Sequence, residues 1–246
     1  NSNKKNIVID YKHPQGITTI NQLIANSDIL VENFGPGVID SYGLSYNDAL
    51  KHNDKIIYAS IKGFGLSGPL SSYKSFDPLA QSAAALFSLT GEKQGKPMRT
   101  GGTFADTSAG MVAALAVTAA YVQKLKNNIG QHVEISMQET ALQFIKTVGV
   151  LDGKWGTGVT ERRGYGAGAP SDMFKCSPGG ANDYIYMLIG TSKMWDLLCA
   201  AIDRLDLIND ERFLTSELRK NNSELLHIEI EKWTSRRDKF DVMNIL

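Results

Sequence analysis

The sequence predicts an α/β fold in which a parallel sheet is layered with helices and a smaller α+β domain follows. Three observations point there. Through about residue 150, apolar β-branched runs alternate with helix-like patterns, the order that βαβ units write into a chain. The runs are apolar at successive positions rather than at every second one, as strands covered on both faces must be. Residues 152–182 then hold eight of the 23 glycines, a texture incompatible with a packed element, before regular patterning resumes.

The elements follow in order. Ile7-Val8-Ile9-Asp10 reads as a strand, and Asp28 to Asn33 and Lys55 to Ile61 as two more, each bounded by polar residues. Between the last two lie the turn Gly35-Pro36-Gly37 and a short helix near Tyr46 to Lys51. A helical segment over Asp77 to Leu89 ends at a turn at Gly91. A long helix from Thr107 to Lys126 begins after Asp106 and ends with Lys124, Lys126 and Asn127-Asn128, as the helix dipole and C-cap chemistry favour. Its apolar run, Ala109 to Val122, is shorter than a bilayer span and rich in Ala and Gly, which suits a closely packed core helix. A strand at Val133 to Ser136 and a helix from Met137 to Val150 complete this half. Beyond the glycines come a strand at Tyr184 to Ile189, a helix over Lys193 to Ile202 with Trp195, Leu198 and Cys199 on its apolar side, and a helix over Ser223 to Arg236.

Composition removes several classes of function. The 26 Lys+Arg balance 26 Asp+Glu, so no basic field is available to hold a nucleic-acid backbone. With 42% hydrophobic and 21% charged residues the chain is of globular type, and no membrane or nucleic-acid partner is expected. Cys176 and Cys199 lie in no CxxC pair and read as reduced thiols of a cytoplasmic protein. The chain begins at Asn1 and stops at Leu246 inside an amphipathic pattern, so it reads as an internal piece of a longer protein, with no export leader in view.

Some motifs are declined. Gly63-Phe64-Gly65-Leu66-Ser67-Gly68 matches GxGxxG after a strand, but Pro69 and the polar residues beyond it prevent a helix from opening there, so a dinucleotide turn is rejected. His13, His52, His132 and His227 are scattered without ligand spacing, so no metal site is expected, and no serine sits in a GxSxG elbow. Asp106 stands out in Gly101-Gly102-Thr103-Phe104-Ala105-Asp106-Thr107-Ser108, a lone carboxylate ahead of an Ala-rich helix. It suits a helix N-cap, and it equally suits a carboxylate nucleophile beside backbone N–H groups able to stabilise an oxyanion; the two readings are compatible.

Four blocks then acquire a collective meaning: Val31 to Gly37, Ser60 to Gly65, the Asp106 segment, and Gly130 to Glu139. In sequence and spacing they resemble the class III CoA-transferases of formyl-CoA transferase type, and Gly164 to Pro170, Met173 to Cys176 and Tyr184 to Tyr186 extend the resemblance over nearly the whole chain. It implies an incomplete Rossmann-like large domain over 1–137, a linker over 138–164, and part of a small α+β domain over 165–246 that begins with the glycine-rich loop. It also implies the interlocked homodimer of that family. Asp106 falls at the family's catalytic aspartate, which carries acyl-aspartyl anhydride and aspartyl-CoA thioester intermediates. Gly166, Ala167 and Gly168 match the loop that shields those intermediates from water, which matters because anhydrides hydrolyse.

For coenzyme A, the resemblance assigns contacts to Lys12, Asn33, Phe34 and Lys74, with Asp77 a further acidic residue near the site; Asp77-Pro78 also suits a helix start. Ser41 departs from the family, whose close members carry a basic residue after the Gly-Pro-Gly turn. No cofactor is held permanently in such enzymes; the CoA thioester is a substrate, and the acceptor is a small carboxylate such as oxalate or succinate. Two other readings remain: an α-methylacyl-CoA racemase, for which Phe76 stands where the second base, a histidine, is expected, and a non-catalytic acyl-CoA-binding protein.

Overall fold

A computed structural model describes residues 2–151, 158–164, 166 and 170–246. The chain divides into two compact units, residues 1–90 with 97–160 and residues 91–96 with 161–246.

The first unit is built on a parallel sheet of three strands, β1 (Ile29–Glu32), β2 (Ile57–Lys62) and β3 (Gln131–Ser136), in the order β1-β2-β3. Glu32 pairs with Ser60, and Lys62 with Ser136, so the carboxyl ends of all three strands lie at one edge of the layer. Parallel strands need long crossovers, and the helices that supply them cover both faces. On one side α1 (Pro14–Ala25), α2 (Val38–Ser41) and α3 (Tyr46–Leu50) enclose Ile24, Ile39, Leu44, Ala49, Ile56 and Tyr58. On the other, α4 (Asp77–Ala83), α5 (Leu86–Leu89), α6 (Phe104–Asn127) and α7 (Met137–Leu151) close over Ile57, Ala59, Val133 and Ile135. Adjacent residues of β2 therefore serve opposite cores, which explains its unbroken apolar run.

Local chemistry accounts for the helix limits. Pro14 opens α1 at a position where a missing N–H costs nothing, and His13 Nδ1 accepts the Gln15 N–H. Ser45 and Asp48 form a reciprocal capping box on α3. Ala85, at φ 65°, turns the chain between α4 and α5, so the single segment expected over Asp77 to Leu89 is two helices. In α6 the buried positions Ala105, Ala109, Ala113 and Ala120 let the helix lie close on the sheet. At 24 residues α6 meets the length and composition of a membrane span, exceeding what its central apolar run suggests. Met111, Leu115, Val122 and Leu125 are exposed along its other side.

One sequence expectation is corrected here. Ile7 to Asp10 forms no strand: the segment has no ladder partner among the described residues, and Ile7 and Val8 stand exposed. The helix expected from Met137 to Val150 is α7, which packs on α6 and Ala141 of which enters the core, within the span from 138 that the family resemblance implies as a linker.

In the second unit β4 (Asp172–Lys175) pairs antiparallel with β5 (Tyr184–Met187). The helices α8 (Ser192–Ala201), α9 (Ser216–Asn221), α10 (Ser223–Thr234) and α11 (Lys239–Ile245), with a 3-10 turn at Leu205–Ile208, complete the unit. Its core gathers Phe174, Met187, Trp195, Leu198, Phe213, Leu226, Ile230 and Val242. Residues 91–96 group with this unit rather than with their sequence neighbours; Arg162 donates to the carbonyls of Glu92 and Gly95.

Candidate active site

At the carboxyl end of the sheet, β1 and β2 each finish on a buried charge. Lys62 Nζ lies 2.7 Å from Glu32 Oε2 and also donates to the Phe34 carbonyl at 2.7 Å, while Glu32 Oε2 accepts the Phe34 N–H. One ion pair thus fixes the start of the Asn33 to Gly37 loop. Beside it, Tyr11, Ile20, Leu30, Val31, Glu32, Phe34, Ile39, Tyr42 and Leu44 line a cavity of about 170 Å³. Tyr11 meets Phe34 and Tyr42 edge to face, at 6.1 and 4.7 Å between ring centres. Glu32 Oε1, buried in the same region, has no hydrogen-bond partner among the described residues. After β2, Gly63 passes so close to Ser75 that a Cβ there would lie 2.1 Å from the Ser75 Cβ, and its carbonyl accepts the Gln138 N–H at the start of α7.

Asp106 sits in the first turn of α6, third residue of the helix, which corrects its expected place ahead of it. Thr103 is the N-cap residue but its side chain caps nothing. The cap comes from another helix: Asp77 Oδ1, at the start of α4, accepts the N–H groups of Ala105 at 2.9 Å and Asp106 at 3.2 Å. Those two N–H groups are therefore already bonded, and the oxyanion role expected for this helix start does not fall to them. Asp77 is buried; its Oδ2 accepts from Gln81 Nε2 at 2.5 Å. The same Gln81 nitrogen donates to the Gly102 carbonyl, and Gln81 Oε1 accepts the Thr100 hydroxyl. The Asp106 carboxylate is exposed and has no hydrogen bond or ion pair among the described residues. Partial desolvation, and after it the Asp77 charge, push it above the ordinary carboxylate range.

The other sequence candidates fall out as follows. Phe34 lines the cavity, with Asn33 exposed next to it. Lys12, exposed, follows Tyr11 of the cavity wall. Lys74 is exposed in the connection ahead of α4, outside the cavity lining. Gly166 belongs to the second unit, where its N–H reaches the Arg163 carbonyl; Ala167 and Gly168 lie outside the described residues. Among the described residues no group of three or more His, Cys, Asp or Glu is placed to hold a metal ion. Sequence reasoning missed the Glu32–Lys62 pair and Gln81. A charged residue at the end of each of two apolar runs was the available signal for the pair; Gln81 offered none.

A carboxylate without a partner among the described residues at the start of a helix, with an aromatic-walled cavity at the sheet edge of the same unit, meets a decisive comparison. The model of CoA-transferase family III matches residues 1–246. The chain belongs to that family. The formyl-CoA:oxalate CoA-transferase of Streptomyces avermitilis is 32% identical over 260 residues, covering 100% of this chain and 63% of its own length. The enzyme of the same description from Afipia carboxidovorans is 33% identical over 265 residues, 100% of this chain and 62% of its own. A CaiB/BaiF family protein of Brucella suis matches in three dimensions with a TM-score of 0.84 at 27% identity, over 98% of this chain and 63% of that one. The chain therefore spans somewhat under two thirds of the length of these family members.

Proposed function

We propose that the protein transfers coenzyme A from an acyl-CoA to a small carboxylate, with Asp106 as the covalent carrier. The observation that carries this is the exposed Asp106 carboxylate, unpaired among the described residues, at the start of α6 in a chain of CoA-transferase family III. Its raised basicity favours nucleophilic attack. A carboxylate oxygen of Asp106 attacks the thioester carbonyl, the C–S bond breaks, and CoA leaves as thiolate. The thiolate attacks the aspartyl carbon of the anhydride, releasing the donor's acid and leaving an aspartyl-CoA thioester. The acceptor carboxylate attacks that thioester and expels CoA; the thiolate then takes the acceptor's acyl group and frees Asp106. Each step exchanges a carboxylate for a thiolate, so no proton has to be moved.

The relatives' descriptions make formyl-CoA and oxalate the first pair to try. For the nucleotide end of CoA the cavity of Tyr11, Phe34 and Tyr42 offers aromatic walls, with Lys12 and Asn33 adjoining. Lys74 and the Gly166–Gly168 loop keep, on family resemblance, the roles of phosphate contact and shield, and the working form is a homodimer. Against a racemase reading, Phe76 stands where its second base, a histidine, is expected, and among the described residues of the same unit His13 caps α1, His52 is exposed in the turn ahead of β2 and His132 lies stacked on Tyr46.

The test incubates the full-length protein with formyl-CoA and traps with hydroxylamine. A hydroxamate on the Asp106 peptide, and loss of transfer in Asp106→Ala, are expected. An unmodified Asp106 together with transfer surviving in Asp106→Ala would refute the mechanism; acyl-CoA binding without turnover would favour the binding protein.

A further inference from the structure

We propose that Asp77 and Gln81 are positioning residues that cap α6 from outside, and so leave the Asp106 side chain free to act as the nucleophile; this rests on the function proposed above. An acidic residue at the third position of a helix commonly turns back to satisfy the N-cap N–H. Asp106 occupies that position and does not. From α4, Asp77 makes the bonds that the Thr103 side chain leaves unmade, to the N–H groups of Ala105 and of Asp106 itself. Its charge meets the positive end of the helix dipole, which would otherwise make Asp106 a weaker base.

Gln81 supplies the rigidity. This fully buried amide joins Asp77, the Gly102 carbonyl and the Thr100 hydroxyl. Gly101 and Gly102 are exposed with open space around their Cα atoms, so packing does little to hold them. The amide fixes the entry of the chain into α6, and with it the origin of the Asp106 side chain. Neither residue needs to touch substrate.

The experiment follows acylation of Asp106 by formyl-CoA in the full-length protein, by hydroxylamine trapping and peptide mass, in single turnovers across pH. In the wild type the acid limb, where Asp106 gains its proton, is expected above the ordinary carboxylate range. Asp77→Asn removes the charge and keeps the shape: the limb moves to lower pH and the plateau rate falls about tenfold, as misplacement and lower basicity act together. Gln81→Met keeps the charge: the rate falls while the limb stays put. Half-saturation by formyl-CoA remains near the wild-type value in both. If wild-type Asp106 takes no adduct, the nucleophile reading fails and takes this inference with it. If wild-type Asp106 is acylated and Asp77→Asn reproduces its rate and its limb, only the inference fails. Should Asp77→Asn not fold, the wild-type limb and Gln81→Met decide: a limb in the ordinary range, or wild-type speed in Gln81→Met, overturns it.

Discussion

Replacing Lys62 by Met tests how the end of the sheet is held. The Lys62 and Glu32 side chains are 5% and 3% exposed, so Met leaves a carboxylate with almost no water to solvate it. Lys62 Nζ makes two bonds of 2.7 Å, to Glu32 Oε2 and to the Phe34 carbonyl. Hydrogen bonds involving a charged group contribute about 1.5–3 kcal/mol each, so two amount to about 3–6 kcal/mol. Stranding one member of a buried ion pair independently costs about 3–5 kcal/mol. The two routes agree near 4 kcal/mol, a large part of the roughly 5–15 kcal/mol that keeps a protein folded. Urea unfolding of the single variants Lys62→Met and Glu32→Gln and of their double variant completes the cycle. The double variant should recover more than half of the Lys62→Met loss, because a neutral pair strands no charge. A Lys62→Met loss below about 1 kcal/mol, or a double variant as unstable as the sum of the singles, would refute the reasoning.

Two further outcomes follow from the same geometry. Asp106 has a raised pKa in the folded chain, so its protonation stabilises the fold below the unfolded pKa and that contribution is lost as pH rises through the folded value. Asp106→Asn should therefore melt higher than wild type at neutral pH, with the gain shrinking on acidification; calorimetry at several pH values showing an equal or lower melting temperature at neutral pH would contradict this. Gly63→Ala places a methyl 2.1 Å from the Ser75 Cβ and should cost about 1–3 kcal/mol as the loop carrying Lys74 is displaced. Thermal unfolding and half-saturation by acyl-CoA measure the two effects, and a neutral result in both would show that the loop yields freely.

What could be read from the sequence followed range of interaction. β2 was legible because a strand covered on both faces writes its burial into consecutive residues, and β1 and β3 because Ile29, Val31, Val133 and Ile135 favour extended chain. Ile7 to Asp10 looked the same locally, but a strand also needs a neighbour, and none of the described residues pairs with it. The helix over Pro14 to Ala25 is missing from the sequence reading although Pro14 marks its start, because Gly16, Ile17, Thr18, Thr19 and Ile20 are weak helix formers. Asp106 was found as a residue but placed outside its helix, since the cap that sets the start of α6 comes from Asp77, 28 positions earlier than Ala105. Glu32 and Lys62 meet only through strand register, and Gln81 reads as an ordinary polar position until α4 is laid against the chain entering α6.

The outer side of α6 gives the chain a chemical reporter. Met111, one and a half turns beyond Asp106, is 67% exposed, with Leu115 and Leu125 further along the helix, 73% and 69% exposed. A thioether in that setting oxidises readily to the sulfoxide. The speed at which peroxide reaches Met111 is thus a footprint of this surface: fast while the helix lies open, slow once any protein surface covers it. A single residue near the proposed nucleophile can in this way report assembly state by mass spectrometry, without a label and without an activity assay.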